Sequence, residues 1–282
     1  MDRTKTRISE IAEFAQDISS FYFPDSKVNP EKIAKEQNIS YEYEVHNDEF
    51  DGLLVYDNHS FHIEVNLFRL VSRSSPRARF TFCHELGHYF IDEHRNSLLR
   101  GGSLFHVSKA EYQSNLTVEL EADTFASNLL MPQKQFLSFY KKGKFGFSEI
   151  VKTSKFFDVS LTATAVRLIQ SDVRPSMIIK WDKEGKLDWK FYSRQFYHAG
   201  LGKTFDKGTL YDRRFRNSAT DCALLGNTAP SCGYFESGTT ASAWFPNSMA
   251  FKNDILIEQA FPIGEYGTLT LLFTDNNKFS FS

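Results

Sequence analysis

Apolar positions recur every three to four residues at Ile8, Ile11, Phe14, Ala15 and Ile18, the repeat that lays one helix face against a core. This spacing predicts a helix over residues 7–22. PEKIAKEQN follows Asn29, with a capping residue before it, Pro30 in its first position and Glu31 in its first turn, which predicts a second, short helix. From Ile39 the pattern turns to alternation, in ISYEYEV, GLLVYD and FHIEVN, and the last two flank the turn residues Asp57-Asn58-His59-Ser60; strands and a hairpin are expected. Ser74, Ser75 and Pro76 announce another helix, carried through about Glu93. A loop centred on Gly101-Gly102 follows, and then a helix from about Thr117 to Leu130, stopped by Pro132. Helical periodicity returns near 147–156 and 160–170, on either side of FDVS.

Beyond Arg174-Pro175 the texture changes to short strands and turns: a hairpin in MIIKWDKEGKLDWKFYS around Lys183-Glu184-Gly185, and later strands in DILIEQAF and TLTLLFT. The expected organisation is an α+β domain over residues 1–172, with a helix-turn-helix-like segment at 145–170, followed by a β-rich domain over 173–282. The length of 282 residues suits one long domain or two unequal ones. With 41% hydrophobic and 24% charged residues the composition is that of a globular protein, and 28 phenylalanines make a large core easy to build. A net charge of -2 gives no overall attraction to nucleic acid or an anionic membrane. Cys83, Cys222 and Cys232 form neither a CxxC pair nor an even disulfide framework, and charges break the N-terminal apolar run. A soluble cytoplasmic protein without a membrane span is expected.

The chemistry concentrates in RFTFCHELGHYFIDEH, residues 79–94. His84 and His88 are four apart, one turn along the same helix face, and can present two imidazoles to one ion. Glu85 lies one step round from His84. This is the H-E-x-x-H arrangement, in which two histidines hold zinc and the glutamate takes a proton from water; zinc lowers the pKa of bound water to about 7, within reach of a carboxylate base. The alternative is a helix that happens to carry two solvated histidines, but the flanking RFTFC and YFI imply a buried helix, where unpaired imidazoles are costly.

A catalytic zinc needs a third protein ligand and an open position. NLTVELEADTFASNLLMP offers Glu119, Glu121 and Asp123. At ~100° per residue, Ala122, Phe125, Ala126 and Leu129 form one apolar face, with Glu119 roughly 60° from its centre and Glu121 roughly 100° away on the other side. Geometry leans to Glu119 as ligand, with Asp123 four residues on placed to orient a ligand histidine; Glu121 is the alternative ligand, otherwise a solvated charge.

RFTFCHELGHYF together with ELEADTFASNLLMP resembles the ImmA/IrrE family of bacterial and phage metallopeptidases, whose pattern is R-F-x-x-x-H-E-x-G-H followed by E-x-x-A-[ND]-x-F-A-x-x-L-L-M-P. The resemblance spans roughly residues 28–170. It implies a gluzincin-like zinc peptidase domain with a helical scaffold segment, in which His84, His88 and Glu119 hold the metal and Glu85 is the general base. It also implies an endopeptidase whose substrate is a partner helix-turn-helix (XRE-type) repressor of stress-response or mobile-element genes. Some relatives carry a GAF-like C-terminal domain, a possible parallel for residues 173–282. Zinc is the expected cofactor, with manganese or another divalent ion compatible with two nitrogens and a carboxylate.

Other residues carry weaker signals. His62, His94 and His106 read as packing or surface histidines, with His106 the first of them to consider for catalysis. Tyr112 is a candidate oxyanion donor, although a loop aromatic covering the core is the plainer reading. Cys83 points about 100° from His84 and reads as a buried thiol. KFFDVSLTATAVRL, with Lys141, Lys142, Lys144, Lys152 and Lys155 nearby, has a helix-turn-helix look, yet the acidic chain argues against direct DNA binding. Arg213, Arg214 and Arg216 read as a solvated loop. The rival to a protease is a DNA-binding or ligand-sensing regulator that acts on a partner without cleaving it.

Overall fold

The structure is a computed structural model, and it describes residues 3–24, 26–47, 50–57, 59–70, 72–100, 105–108, 117–140, 144–199, 206–211, 217–245 and 255–274. The chain divides into two compact units, Met1–Phe136 with Lys155–Ser160 and Leu137–Ser154 with Leu161–Ser282.

The first unit opens with α1 (Arg3–Tyr22) and α2 (Pro30–Glu36). Asn29 caps α2, its side chain accepting the Lys32 N–H at 2.9 Å, as the sequence anticipates. The strands β1 (Ser40–Glu44), β2 (Gly52–Tyr56) and β3 (Phe61–Asn66) follow. The β2–β3 turn is held by Asp57, whose carboxylate accepts the backbone N–H groups of His59 and Ser60. Then come α3 (Pro76–Phe90), α4 (Asp92–Leu99), β4 (Phe105–Ser108), α5 (Thr117–Leu130) and α6 (Gln133–Ser138).

The sheet runs β1-β3-β2-β4; β1 is parallel to β3, and the other pairs are antiparallel. α3 packs on β2 and β3, α5 on α3, and α1 on α5. The core between these layers includes Leu54, Ile63, Phe82, Leu86, Ala122 and Phe125, all with no exposed area. Ser75 caps α3 through the Ala78 N–H, with Pro76 in the first turn. The sequence pattern carries this helix through Glu93, but it stops at Phe90: Ile91 is extended (φ -77, ψ 111) and α4 begins with Asp92 and Glu93, acids that favour a new N-terminus.

α7 (Phe147–Phe157) spans the division between the units, and α8 (Leu161–Gln170) belongs to the second. The helical segment 145–170, assigned by pattern to the first domain, is therefore shared. The reason lies in its first turn: the Phe147 N–H donates to Gln259 at 2.7 Å and its ring packs on Phe261.

The second unit holds the antiparallel sheet β6-β5-β9-β8-β7, built from β5 (Ser176–Trp181), β6 (Leu187–Tyr192), β7 (Phe235–Thr240), β8 (Ile255–Pro262) and β9 (Thr268–Thr274). Around it lie α9 (Arg194–His198), α10 (Ala219–Leu224) and α11 (Ala241–Trp244). Its core joins Trp181, Tyr211, Trp244 and Phe245 to Met177, Leu256 and Leu272. Fully buried Glu258 accepts the Thr220 N–H at 2.7 Å and the Trp244 indole N–H at 3.1 Å, so its carboxylate is satisfied within the core. Among the described residues no helix is long and apolar enough to cross a membrane.

Candidate metal centre

α3 lies between the sheet and α5, which explains why its polar residues are buried: His84 is 4% exposed, and Glu85 and His88 not at all. Gly87 sets the approach of the two helices, because a Cβ there would lie 3.2 Å from the Ala122 Cα and the Phe125 Cβ. That close crossing brings the first turn of α5 over the two histidines. His84 Nε2 stands 3.0 Å from His88 Nε2 and 3.2 Å from Glu119 Oε2, while Glu119 Oε1 stands 3.7 Å from His88 Nε2. Among the described residues, His84, His88 and Glu119 gather three ligand atoms within 4.8 Å of one another.

These residues fit a divalent metal. A tetrahedral ion with ligand bonds of ~2.0–2.1 Å requires ligand atoms roughly 3.3–3.4 Å apart, and the separations of 3.0 Å between the histidine nitrogens and of 3.2 and 3.7 Å from them to the two Glu119 oxygens bracket that value. The donor set of two imidazoles and one carboxylate suits zinc and tolerates other divalent ions. The nitrogens are also turned correctly. His84 Nδ1 stands 2.8 Å from Asp123 Oδ1, and because a carboxylate only accepts, Nδ1 carries a proton, which leaves Nε2, facing Glu119, as the nitrogen that can bind an ion once its own proton is displaced. Asp123 thus sits where the sequence spacing places it, behind a candidate ligand. Burial alone would push the His84 imidazole down; the Asp123 and Glu119 carboxylates outweigh it and raise its pKa to about 10.

Glu85 lies beside the cluster, facing β2. Gly52 at the start of β2 makes room for it: a Cβ there would meet Glu85 Oε1 at 2.5 Å and the Thr81 side chain at 2.6 Å. The β2–β3 hairpin lies under α3, with β3 paired to β1 and β2, and β2 to β3 and β4. Among the described residues the open edge on this side is therefore β4, a strand the sequence pattern leaves in a loop.

Glu121 is not at the cluster and is not a solvated charge. It is 8% exposed and meets His94 Nε2 at 3.2 Å, while the other His94 nitrogen, Nδ1, stands 3.1 Å from His88 Nδ1. His94, read from sequence as a packing residue, belongs to the surroundings of the centre. The available signal was its company, a third histidine six residues after His88 and a second buried acid on α5.

The remaining candidates lie elsewhere. His62 is on the sheet, bonded to Ser40 at 2.8 Å. Cys83 is fully buried, and burial pushes its thiol up to about 12, as a packing cysteine. His106 is in β4, its backbone opposite Leu54, with its side chain outside the described residues. Tyr112, Lys141, Lys142, Arg213, Arg214 and Arg216 also lie outside them.

The family model described as the IrrE N-terminal-like domain (Peptidase_M78) matches residues 55–168. Among solved structures, a Mycobacterium tuberculosis transcriptional regulator is similar, with a TM-score of 0.56 at 12% identity over 94% of this chain and 76% of that chain. At that identity the likeness speaks for the fold. No curated protein matches the chain.

Proposed function

Because residues 55–168 belong to the IrrE N-terminal-like domain family, we propose that the chain is a zinc-dependent endopeptidase. The observation that carries this reading is the convergence of His84, His88 and Glu119 with Glu85, a carboxylate bound into the same buried helix turn. His84, His88 and Glu119 would hold the ion. When bound, it supplies Lewis acidity, acidifying water and polarising a peptide carbonyl.

The chain's own residues do the rest. Glu85 accepts the proton from the attacking water and passes it to the departing amine. Gly52 leaves the carboxylate its place, Asp123 holds the His84 ring with its proton on Nδ1, and the sheet beneath α3 keeps these groups fixed. The substrate we propose is a partner helix-turn-helix repressor, in a stress-response or mobile-element circuit. A place in gene regulation is in keeping with the similar structure being that of a transcriptional regulator. The second unit, built on its own sheet and core, is proposed as a regulatory module.

The test incubates the zinc-loaded chain with the repressor encoded beside it, with and without chelator, against Glu85→Gln. Glutamine keeps size and hydrogen bonding but accepts no proton, so cleavage should fall by about 10²–10⁴-fold, while ion content, melting and repressor binding match the parent. Equal cleavage by both proteins would remove Glu85 as the base. Repressor binding without any cleavage by the parent would favour a regulator that acts by contact alone.

A further inference from the structure

Resting on the reading of His88 as a metal ligand, we propose that Glu121 and His94 form a positioning relay that fixes the tautomer and ring orientation of His88. The three residues come from three helices, α5, α4 and α3, and all are buried, at 8%, 8% and 0% exposure. Glu121 Oε2 stands 3.2 Å from His94 Nε2, and His94 Nδ1 stands 3.1 Å from His88 Nδ1.

Hydrogen-bond chemistry gives this chain one direction. The carboxylate only accepts, so a neutral His94 carries its single proton on Nε2; its Nδ1 is then an acceptor and receives the hydrogen bond of His88 Nδ1–H. His88 Nε2 is left with a lone pair, on the side that faces His84 Nε2 at 3.0 Å and Glu119 Oε1 at 3.7 Å. The opposite proton order would place a hydrogen on His88 Nε2 and remove it as a ligand. Glu121 in turn is faced by Arg7 of α1, whose Nε is 3.6 Å from Oε2 and whose other arm holds Glu93 at 2.5 Å. The guanidinium thereby ties the start of α1 to the carboxylate behind His94.

The test measures ion affinity of the full chain by competition with a chromogenic zinc chelator, using His94→Phe, His94→Asn and Glu121→Leu. Phenylalanine keeps the ring and offers no acceptor, so affinity should fall by about 10–100-fold, the usual cost of losing a partner behind a ligand histidine. Asparagine puts its Oδ1 near the position of Nδ1 and should restore most of that loss. Glu121→Leu keeps His94 but frees its proton order, and should weaken binding in the same direction. Nitrogen-15 spectra of the zinc-loaded parent should show His88 protonated on Nδ1 and His94 on Nε2.

Should His94→Phe prove unable to fold, the Glu121→Leu affinity and the parent spectra decide the matter. Parent-like affinity in the folded variants, or a His94 protonated on Nδ1, overturns the relay while leaving the metal centre standing. A parent that takes up no ion overturns the metal centre and the relay with it. A purely structural role for His94 predicts lowered melting in both of its variants with no difference in affinity between them, which also overturns the relay.

Discussion

The sharpest steric statement at the site concerns Gly52, and Gly52→Ala turns it into a prediction. The added Cβ would lie 2.5 Å from Glu85 Oε1, where ordinary contact begins near 3.4 Å, so the carboxylate or the strand must yield by roughly 0.9 Å. β2 is held on both sides by β3 and β4, which leaves the carboxylate as the softer partner. Displacement of a catalytic group by about 1 Å costs on the order of 10²-fold in rate, and kcat should fall by about that factor. Zinc content should stay at the parent level, because Glu85 is not among the three gathered ligand atoms. Overpacking of this kind costs about 1–3 kcal/mol, partly offset by about 0.5–1 kcal/mol from replacing a strand glycine, so a net loss of roughly 0–2.5 kcal/mol is expected in denaturant unfolding. The assay is repressor cleavage on zinc-matched protein. Its steric origin is checked by the double variant Gly52→Ala/Glu85→Asp, in which the shorter acid vacates its part of the space while the Thr81 methyl, 2.6 Å from the added Cβ, stays: stability should recover in part while activity stays low, a coupling within the 0.5–3 kcal/mol seen for touching residues. Parent-like turnover in Gly52→Ala would refute the idea that Glu85 works from the position Gly52 allows.

Three further outcomes follow from the same geometry. Glu119→Ala removes one of the three proposed ligands and should lose zinc on dialysis, whereas the parent retains it; elemental analysis showing equal occupancy would move the third ligand away from Glu119. Gly87→Ala gains about 1 kcal/mol of helix propensity but sets a Cβ 3.2 Å from the backbone of Ala122, so α5 must shift by a few tenths of an ångström and zinc affinity should drop; a plain gain in stability with unchanged affinity would mean the crossing has slack. Burial pushes the His84 imidazole down, yet Asp123 and Glu119 raise its pKa to about 10, so the metal-free protein holds a proton there at neutral pH that zinc must displace. Affinity should therefore rise about tenfold per pH unit up to that pKa from this group, with about one proton released per ion in calorimetry at pH 7.5 in two buffers; zero release would contradict the raised pKa.

Much of the first unit is legible because its signals are local. Asn29 before Pro30 and Ser75 before Pro76 cap the helices they announce, and Asp57 closes the hairpin turn it marks. The spacing of His84, Glu85 and His88 fixes their relation by helix geometry alone. What escapes are features set by tertiary contact. β4 is four residues long, too short to show alternation. Gly52 reads as a weak strand start until Glu85 is seen against it. In the second unit β5, β6, β8 and β9 follow from their apolar runs, but β7 reads FESGTT, a sequence poor in strand formers whose place is set by its pairing with β8.

His94 was missed for a more specific reason. In one continuous helix a residue six positions after His88 lies about 600° round, or 240° away, and about 9 Å further along the axis, where it meets nothing on His88. The break at Ile91 removes that separation and lets α4 turn back, so His94 reaches His88 Nδ1 at 3.1 Å. The acids of α5 then sort themselves among the three histidines. Glu119 faces the two Nε2 atoms, Asp123 meets Nδ1 of His84, and Glu121 meets Nε2 of His94. The run E-x-E-x-D, which from sequence poses a choice between two ligands, is in the structure three carboxylates with three different partners. Both histidines of the candidate metal centre end on a carboxylate, His84 directly and His88 through one intervening ring. A substitution at Asp123 should accordingly act on His84 as one at Glu121 acts on His88, each weakening the metal without touching it.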